Sequence, residues 1–473
     1  MGTRLAPVAL LLLLGCSVGP DYQEPQTKTA AAFEGSSKEG FSSDPSIVAW
    51  WREFGDEALN GLIDRAVSGN RTVAAQAALI REARALYGLE TYDLAPTVTA
   101  GGSYTRQMLS NATFLNGVPR AARTFGFFTA GFDATWEIDL WGKVRRSMEA
   151  ADAEVGASEA MRRDILLSVM AEVARNYFEY QGARYRLEVT RKNVQVQEET
   201  VKLTVARYEG GRGTELDVSS ARADLHATLA LLPPIETDVA RAKNRLAVLI
   251  GEQPTGFAVN AGDAGPRDLL PKLVAIGKPE ELLRRRPDIR QAERKLAAAT
   301  ARIGVETADL FPRVTFSGNI GPQAPTISGL FKSGAMQYSF GPSISWAAFD
   351  LGRVAARIRA ADARAEAELH YYEQTVLQAL EETENALVQY GRERARRDSL
   401  IEAVAASERA ASLADARYQA GAADFLASLV AQRTVLRLQI DLADSRTRTV
   451  TSLIAVYKAL GGGWEVGSVP GTP

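Results

Sequence analysis

The 473-residue chain has one cysteine, Cys16, and two histidines, His226 and His370. So few thiol and imidazole groups leave almost no ligand set for a metal site of the usual types. Neither histidine lies in a motif, and no cluster of catalytic groups replaces them, so the chain is expected to be no enzyme and to use no metal or cofactor. A net charge of −2 lacks the basic field that nucleic acid would require. The apolar run after Arg4 ends by Leu14, too short for a transmembrane helix of about 20 residues. Proline is absent from Gly142 to Arg207 and glycine is scarce there, which permits a helix of roughly 100 Å.

What the chain does have is a repeat. Trp136 to Gly251 recurs as Trp346 to Gly461, 116 residues at a constant offset of 210. Ala150-Ala151-Asp152-Ala153 returns as Ala360-Ala361-Asp362-Ala363, and Ala206-Arg207-Tyr208 as Ala416-Arg417-Tyr418. Gly142, Gly211 and Gly251 return as Gly352, Gly421 and Gly461, and Glu172 and Tyr180 as Glu382 and Tyr390. Most other positions differ, so the copies share an architecture rather than a catalytic set.

Each copy carries two kinds of element. Val98, Ala100, Gly102 and Tyr104 alternate with Thr97, Thr99, Gly101 and Ser103; Phe128 to Trp136 alternate with Thr129, Gly131, Asp133 and Thr135. The second half repeats the pattern in Val314 to Ile320 and Tyr338 to Trp346. A period of two marks strands with one apolar and one polar face, each about ten residues long, the length that crosses a bilayer when tilted. Trp136 and Trp346 are expected at a membrane interface. Long helices follow each hairpin. Leu187, Val194, Val201 and Tyr208 fall seven apart, a coiled-coil spacing. The first chain reversal is at Gly210-Gly211-Arg212-Gly213 and the second at Gly421. The return helices are expected at about 214–250, with a kink at Pro233-Pro234, and at 424–460. Helices at 56–68, 70–91 and 286–310 supply short partners. The fold class is therefore mainly α with a membrane β-barrel. Four strands cannot close in lipid without leaving backbone groups unpaired, so the chain must oligomerise, and the Ser, Thr and Gly faces suit a wet lumen.

The run ending in Leu14-Gly15-Cys16 resembles a bacterial lipobox. That resemblance implies a signal peptide over 1–15 and acylation of Cys16. Ser17 after the cysteine implies sorting to the outer membrane of a Gram-negative bacterium. Residues 16–50, rich in Pro, Ser, Gly and Glu, read as an extended lipid-anchored tether. The first repeat then occupies 51–260, with a β-hairpin about 97–137 and a helical hairpin 142–250. The second occupies 261–473, with a β-hairpin about 313–348, a helical hairpin 352–460 and a short tail.

Several motifs together resemble the outer-membrane factor (TolC-like) family, in its OprM/NodT-like lipoprotein branch of multidrug (RND-type) efflux channels. They are Cys16-Ser17-Val18-Gly19-Pro20-Asp21-Tyr22, Trp50-Trp51 with Phe54-Gly55-Asp56, Trp136-Glu137-Ile138-Asp139-Leu140-Trp141-Gly142, Ala206-Arg207-Tyr208 with Gly211 and Leu216-Asp217-Val218, and Arg284-Arg285-Arg286-Pro287-Asp288-Ile289. The resemblance implies a homotrimer with a twelve-stranded barrel and a helical tunnel in the periplasm. It implies a periplasmic adaptor, an RND-type inner-membrane pump and outer-membrane lipid as partners, with passive export of drugs or toxic compounds. Protein export by a type I secretion system is the alternative channel function. The adaptor would meet Gly210, Gly211, Thr214, Gly421 and Ala422, although these glycines could equally serve only as helix caps. Asp217 and Tyr418 match positions of bonds that hold the closed state in relatives. Ala423 stands where an arginine partner would be, and Val430 where some relatives carry an aspartate. Arg212, Glu215, Asp217 and Asp424 are then candidates for a substitute gate network, or simply solvated charges.

Overall fold

The computed structural model describes residues 17–37, 40–44, 48–110, 112, 119, 123–262, 270–271 and 273–464. Cys16, the signal segment 1–15 and most of the loop of the first long β-hairpin, including Asn111 and Asn116-Gly117, lie outside the described residues. The helices are α1 (Glu57–Gly69), α2 (Arg71–Tyr92), α3 (Lys143–Glu209), α4 (Glu215–Leu229), α5 (Leu232–Leu249), α6 (Pro279–Arg285), α7 (Pro287–Ala308), α8 (Leu351–Gln419) and α9 (Phe425–Ala459). The strands are β1 (Phe41–Ser42), β2 (Thr97–Met108), β3 (Thr124–Ile138), β4 (Val274–Ala275), β5 (Arg313–Ala324) and β6 (Met336–Ser345). The chain packs as two compact units, and each draws on both repeats. Repeats of sequence and units of packing are thus different divisions of this chain.

One unit comprises residues to Gln26, Leu79–Glu159 and Gln291–Glu373. Its centre is an antiparallel sheet in the order β2-β3-β5-β6. The register keeps the alternation in phase across all four strands. Val98 faces Ala134, Ala134 faces Gly318 and Gly318 faces Phe340. On the opposite face Thr99 meets Asp133, Asp133 meets Asn319 and Asn319 meets Ser339. One face is therefore largely apolar and exposed, with Val98, Tyr104, Phe132, Ile320, Tyr338, Phe340 and Ile344 all more than half accessible. The other is a polar face laced by Ser103–Thr129 (2.8 Å) and Ser339–Asn319 (2.7 Å) hydrogen bonds. The two hairpins are copies. Thr97 pairs with Thr135 as Arg313 pairs with Ser345, and Met108 with Thr124 at the far end of the first. The repeat thus reaches further back than the sequence comparison suggested. Before the hairpin loop the offset is 216 (Thr97 to Arg313, Met108 to Ala324), and after it 210 (Thr135 to Ser345). A second loop six residues shorter accounts for the change and conceals the earlier part from an ungapped comparison.

The other unit comprises Thr27–Ala78, Ala160–Arg290 and the chain from Gln374. Its core is built on Trp50, Trp51, Phe54, Tyr177, Tyr390 and Tyr457. Trp50 stacks on Tyr457 with centroids 5.3 Å apart and donates its indole N–H to the Gly462 carbonyl at 3.1 Å. Asp56 caps α1 through the Ala58 and Leu59 amides and accepts the Tyr177 hydroxyl at 2.8 Å. The stretch read as an extended tether packs against the helices in its later part. Residues 17–30 have no regular structure, but Phe33 is buried, the Glu34 and Gly35 amides donate to Glu384, and β1 pairs in parallel with β4. Phe33, at the end of a run of alanines, and Phe41, which meets Tyr390, supply the apolar grip.

The short helices splice onto the ends of the return helices. Asn70 caps α2 and donates its side-chain amide to the Leu249 carbonyl at the end of α5 (2.7 Å). Arg286, its counterpart, donates to the Ala459 carbonyl at the end of α9 (2.8 Å). The first return helix breaks at Ala230–Leu231, and Pro233 and Pro234 fall in the first turn of α5, where their missing N–H groups cost nothing. The second runs unbroken through Ala443–Asp444, the matching positions.

Candidate functional site

Both helical hairpins turn by the same device. The Gly210 amide bonds the Ala206 carbonyl, Gly211 bonds Tyr208 and Arg212 bonds Arg207, at 3.0, 3.0 and 2.7 Å. Ala420, Gly421 and Ala422 repeat these bonds to Ala416, Tyr418 and Arg417 at 3.0, 3.0 and 2.8 Å. This is the Schellman cap, with its left-handed residue at Gly211 (φ +72°) and Gly421 (φ +73°). Those two glycines are structurally required. Gly210 is not: its φ is ordinary and its counterpart is Ala420.

The starts of the return helices differ. Thr214 and Asp217 form a full capping box on α4: the Asp217 amide donates to Thr214 Oγ1 (3.2 Å), and the Thr214 amide and hydroxyl donate to Asp217 Oδ2 (2.9 and 2.8 Å). The Asp217 carboxylate, a gate candidate, is engaged as a cap in this chain. Asp424 occupies the Thr214 position on α9 and is exposed, without a side-chain cap bond. Arg212 and Glu215 are also exposed.

Behind the second turn lies a small core of Ala221, Tyr418, Phe425 and Leu429, with Val201 against it. The Arg207 guanidinium sits 4.4 Å from the Tyr418 ring centroid. Burial pushes the Tyr418 phenol above its ordinary range; Arg207 opposes this, and Asp217 and Asp415 add to it. The repeat partner, Tyr208, is 46% exposed and leaves the coiled-coil seam that its spacing predicted. Two features of this region were not anticipated. Arg433 of α9 forms an ion pair with Asp224 of α4, whose side chain is only 9% exposed. The pair joins residues 209 apart in sequence, so no local spacing signals it. The second is a set of exposed leucines matched across the repeat: Leu203 with Leu413, and Leu216 with Leu426. Reading the 210 offset for exposed apolar matches would have found them. Ala423 is half-buried and Val430 half-exposed.

At the sheet, Trp136 lies within β3 and Trp346 directly follows β6. Their indoles donate to the Leu94 and Leu310 carbonyls, both at 3.0 Å. The matched bonds pin each tryptophan to the turn before its hairpin. The segment after Cys16 is held as well. Arg146, almost wholly buried, donates to the Val18 carbonyl (3.1 Å) and to Asp21 (2.6 Å), and Tyr22 donates to Glu293 (2.5 Å). A side chain at Gly304 would strike the Val18 carbonyl. The His226 and His370 rings are exposed, and no group of metal-ligating residues occurs among the described residues.

The model for "Outer membrane efflux protein" matches residues 62–252 and 279–462. The chain is 31% identical to outer membrane protein OprJ of Pseudomonas aeruginosa over 98% of this chain and 96% of that one. It is 31% identical to the toluene efflux pump outer membrane protein TtgI of Pseudomonas putida, over 97% of each. The solved outer-membrane channel OprN superposes with a TM-score of 0.88 at 41% identity, covering 95% of this chain and all of that one. With the alternating sheet, the long helical hairpins and a barrel left open in one copy, these matches identify the chain as a member of the outer membrane efflux protein family, the trimeric outer-membrane channels that work with adaptor and inner-membrane pump components in tripartite efflux.

Proposed function

We propose that this chain is the exit duct for small organic compounds in an efflux system with an RND-type pump, anchored in the outer membrane by lipid on Cys16, and that its two helical tips receive the adaptor. The toluene pump among its relatives supports the substrate class. The observation that carries the docking reading is the duplication at the tips: one cap geometry and one set of exposed leucines, twice per chain. Exposed apolar residues in matched positions mark a contact surface rather than scattered surface leucines. Adaptor docking falls to Gly210, Thr214, Ala422 and these leucines, with Gly211 and Gly421 shaping the turns. The gate falls to Asp217, Tyr418 and the Arg433–Asp224 pair, with Arg212, Glu215 and Asp424 as solvated charges around it. The chain's overall charge leaves nucleic acid no part in this.

Ala422→Trp tests docking cleanly, because Ala422 is exposed and has no left-handed backbone to strain. Efflux should be lost while trimers still form; normal resistance would remove the tip as the docking site. Cys16→Ala should abolish incorporation of labelled fatty acid, and unchanged labelling would end the anchoring reading.

A further inference from the structure

The sheet has two edges whose outer sides pair with nothing among the described residues, β2 and β6. In a trimeric barrel each β6 must meet the β2 of a neighbour. Which residues meet is set by an internal precedent. The β3–β5 seam joins the last strand of one hairpin to the first strand of the next, and β6 joined to a neighbour's β2 is the same junction advanced by one repeat.

We propose that the trimer closes by repeating the internal seam. Ser343 then lies opposite the partner's Ser103, and Arg353 reaches the partner's Asp93. This deepens the trimeric reading and rests on it.

The translation is direct, since positions after the hairpin loop shift by 210 and positions before it by 216. The internal pairs are Trp136 with Phe316, Ala134 with Gly318, Asp133 with Asn319 and Phe132 with Ile320. They become Trp346 with the partner's Ala100, Ile344 with the partner's Gly102, Ser343 with the partner's Ser103, and Pro342 with the partner's Tyr104. Apolar residues meet on the lipid side and polar residues on the other. A slip of one residue would reverse this and put serines in lipid.

A slip of two would keep the faces matched, so a second contact must decide. Lys143 of α3 is bonded to Asp309, the residue that opens the turn before β5, at 2.6 Å. The repeat keeps both charges: Lys143 becomes Arg353 and Asp309 becomes Asp93. Within one chain these two are exposed, and the ion pair of Arg353 is with a near neighbour, Asp350, at 2.9 Å. Set across the seam, they reproduce the Lys143–Asp309 bridge. A two-residue slip displaces one end by about 7 Å and breaks it. One brace is confined to the internal seam: the Trp141 indole donates to the Pro312 carbonyl at 2.9 Å, whereas its counterpart Leu351 has no donor for the partner's Pro96.

Cysteine pairs read the register. Directly opposed residues have Cβ atoms about 4.5–5.5 Å apart and diagonal ones about 7–8 Å, while a disulfide needs roughly 3.5–4.5 Å. In the full-length membrane-inserted protein, oxidised Ser103→Cys with Ser343→Cys should give covalent dimers and trimers several-fold more than Ser103→Cys with Gly341→Cys or with Ser345→Cys. Asp133→Cys with Asn319→Cys, the internal equivalent, should close within one chain and serves as the geometric control, with the single-cysteine parent as background. The strongest product at either displaced pair, or none at any pair in a protein that still migrates as a trimer, overturns the register. A monomer on native gels would instead defeat the trimeric reading. Should the double variants not assemble, charge reversal decides. Arg353→Asp and Asp93→Arg should each lower the temperature at which trimers dissociate, and the two together should restore it; additive loss overturns the bridge.

Discussion

The sheet and the tips treat the repeat in opposite ways. At the sheet the two copies keep the same pairing and the same contact positions. Trp136 and Trp346 donate to matched carbonyls, and Ser147–Glu90 stands where Arg357–Glu306 stands in the second copy. At the tips the caps agree, yet the side chains around them part company: Tyr418 is buried and Tyr208 exposed, and α4 has a capping box where α9 has none. A barrel wall must repeat, because every strand pair meets the same lipid. The divergence at the tips fits the proposed gate, in which one hairpin holds while the other releases.

Removing the divergence at its strongest point should have the largest effect. Tyr418→Ala empties the small tip core and should destabilise it by about 3–5 kcal/mol, as other buried aromatic truncations do. Tyr208→Ala, at a half-exposed site, should cost under about 1 kcal/mol. Limited proteolysis of the tips compares them, and equal sensitivity would erase the asymmetry. Next comes the cross-hairpin bridge. Asp224→Ala or Arg433→Ala should raise conductance in planar bilayers and weaken the α4–α9 contact by on the order of 1–2 kcal/mol, since the half-exposed Arg433 is partly screened. Unchanged conductance in both variants would remove the pair from the gate. A smaller effect is expected at the caps. Asp217→Ala should cost α4 about 1 kcal/mol and raise conductance, whereas Asp424→Ala should cost α9 little. Matching losses would mean that Asp424 caps after all.

The smallest effect is a pH effect. Burial, with Asp288 and Glu382 nearby, raises the Asp164 carboxyl against the pull of Lys458 and Arg286. The folded chain therefore holds this proton more tightly than the unfolded one. The group favours folding below its unfolded value of about 3.9, and that contribution is lost as pH rises through the raised value. Asp164→Asn should raise the melting temperature at pH 7, with the gain vanishing near pH 3; a gain that persists in acid would assign it to packing.

Much of this was legible in the residue pattern. Strict alternation placed all four strands on the correct faces, because a period of two leaves no other choice once one side meets lipid. Gly211 and Gly421 marked the turns because only glycine sits easily in the left-handed cap. Other features lay beyond one-dimensional reading. Two-residue strands such as β1 and β4 have no period. Asp224 and Arg433 carry no spacing signal. Tyr208 and Tyr418 share one motif and part only in three dimensions. The repeat ahead of the hairpin loops was hidden by a change of loop length, not by loss of pattern.

The two splices at Asn70 and Arg286 also bear on how the chain responds to its surroundings. Asn70 joins its helices through a neutral amide bonded to a carbonyl. Arg286 makes the same bond while held between Asp288 (2.8 Å) and Glu382 (2.7 Å), which keep it protonated despite burial. The first joint is indifferent to ionic strength and acidity across the range a cell envelope meets. The second adds two ion pairs to the same bond, so screening by salt weakens the second joint more than the first.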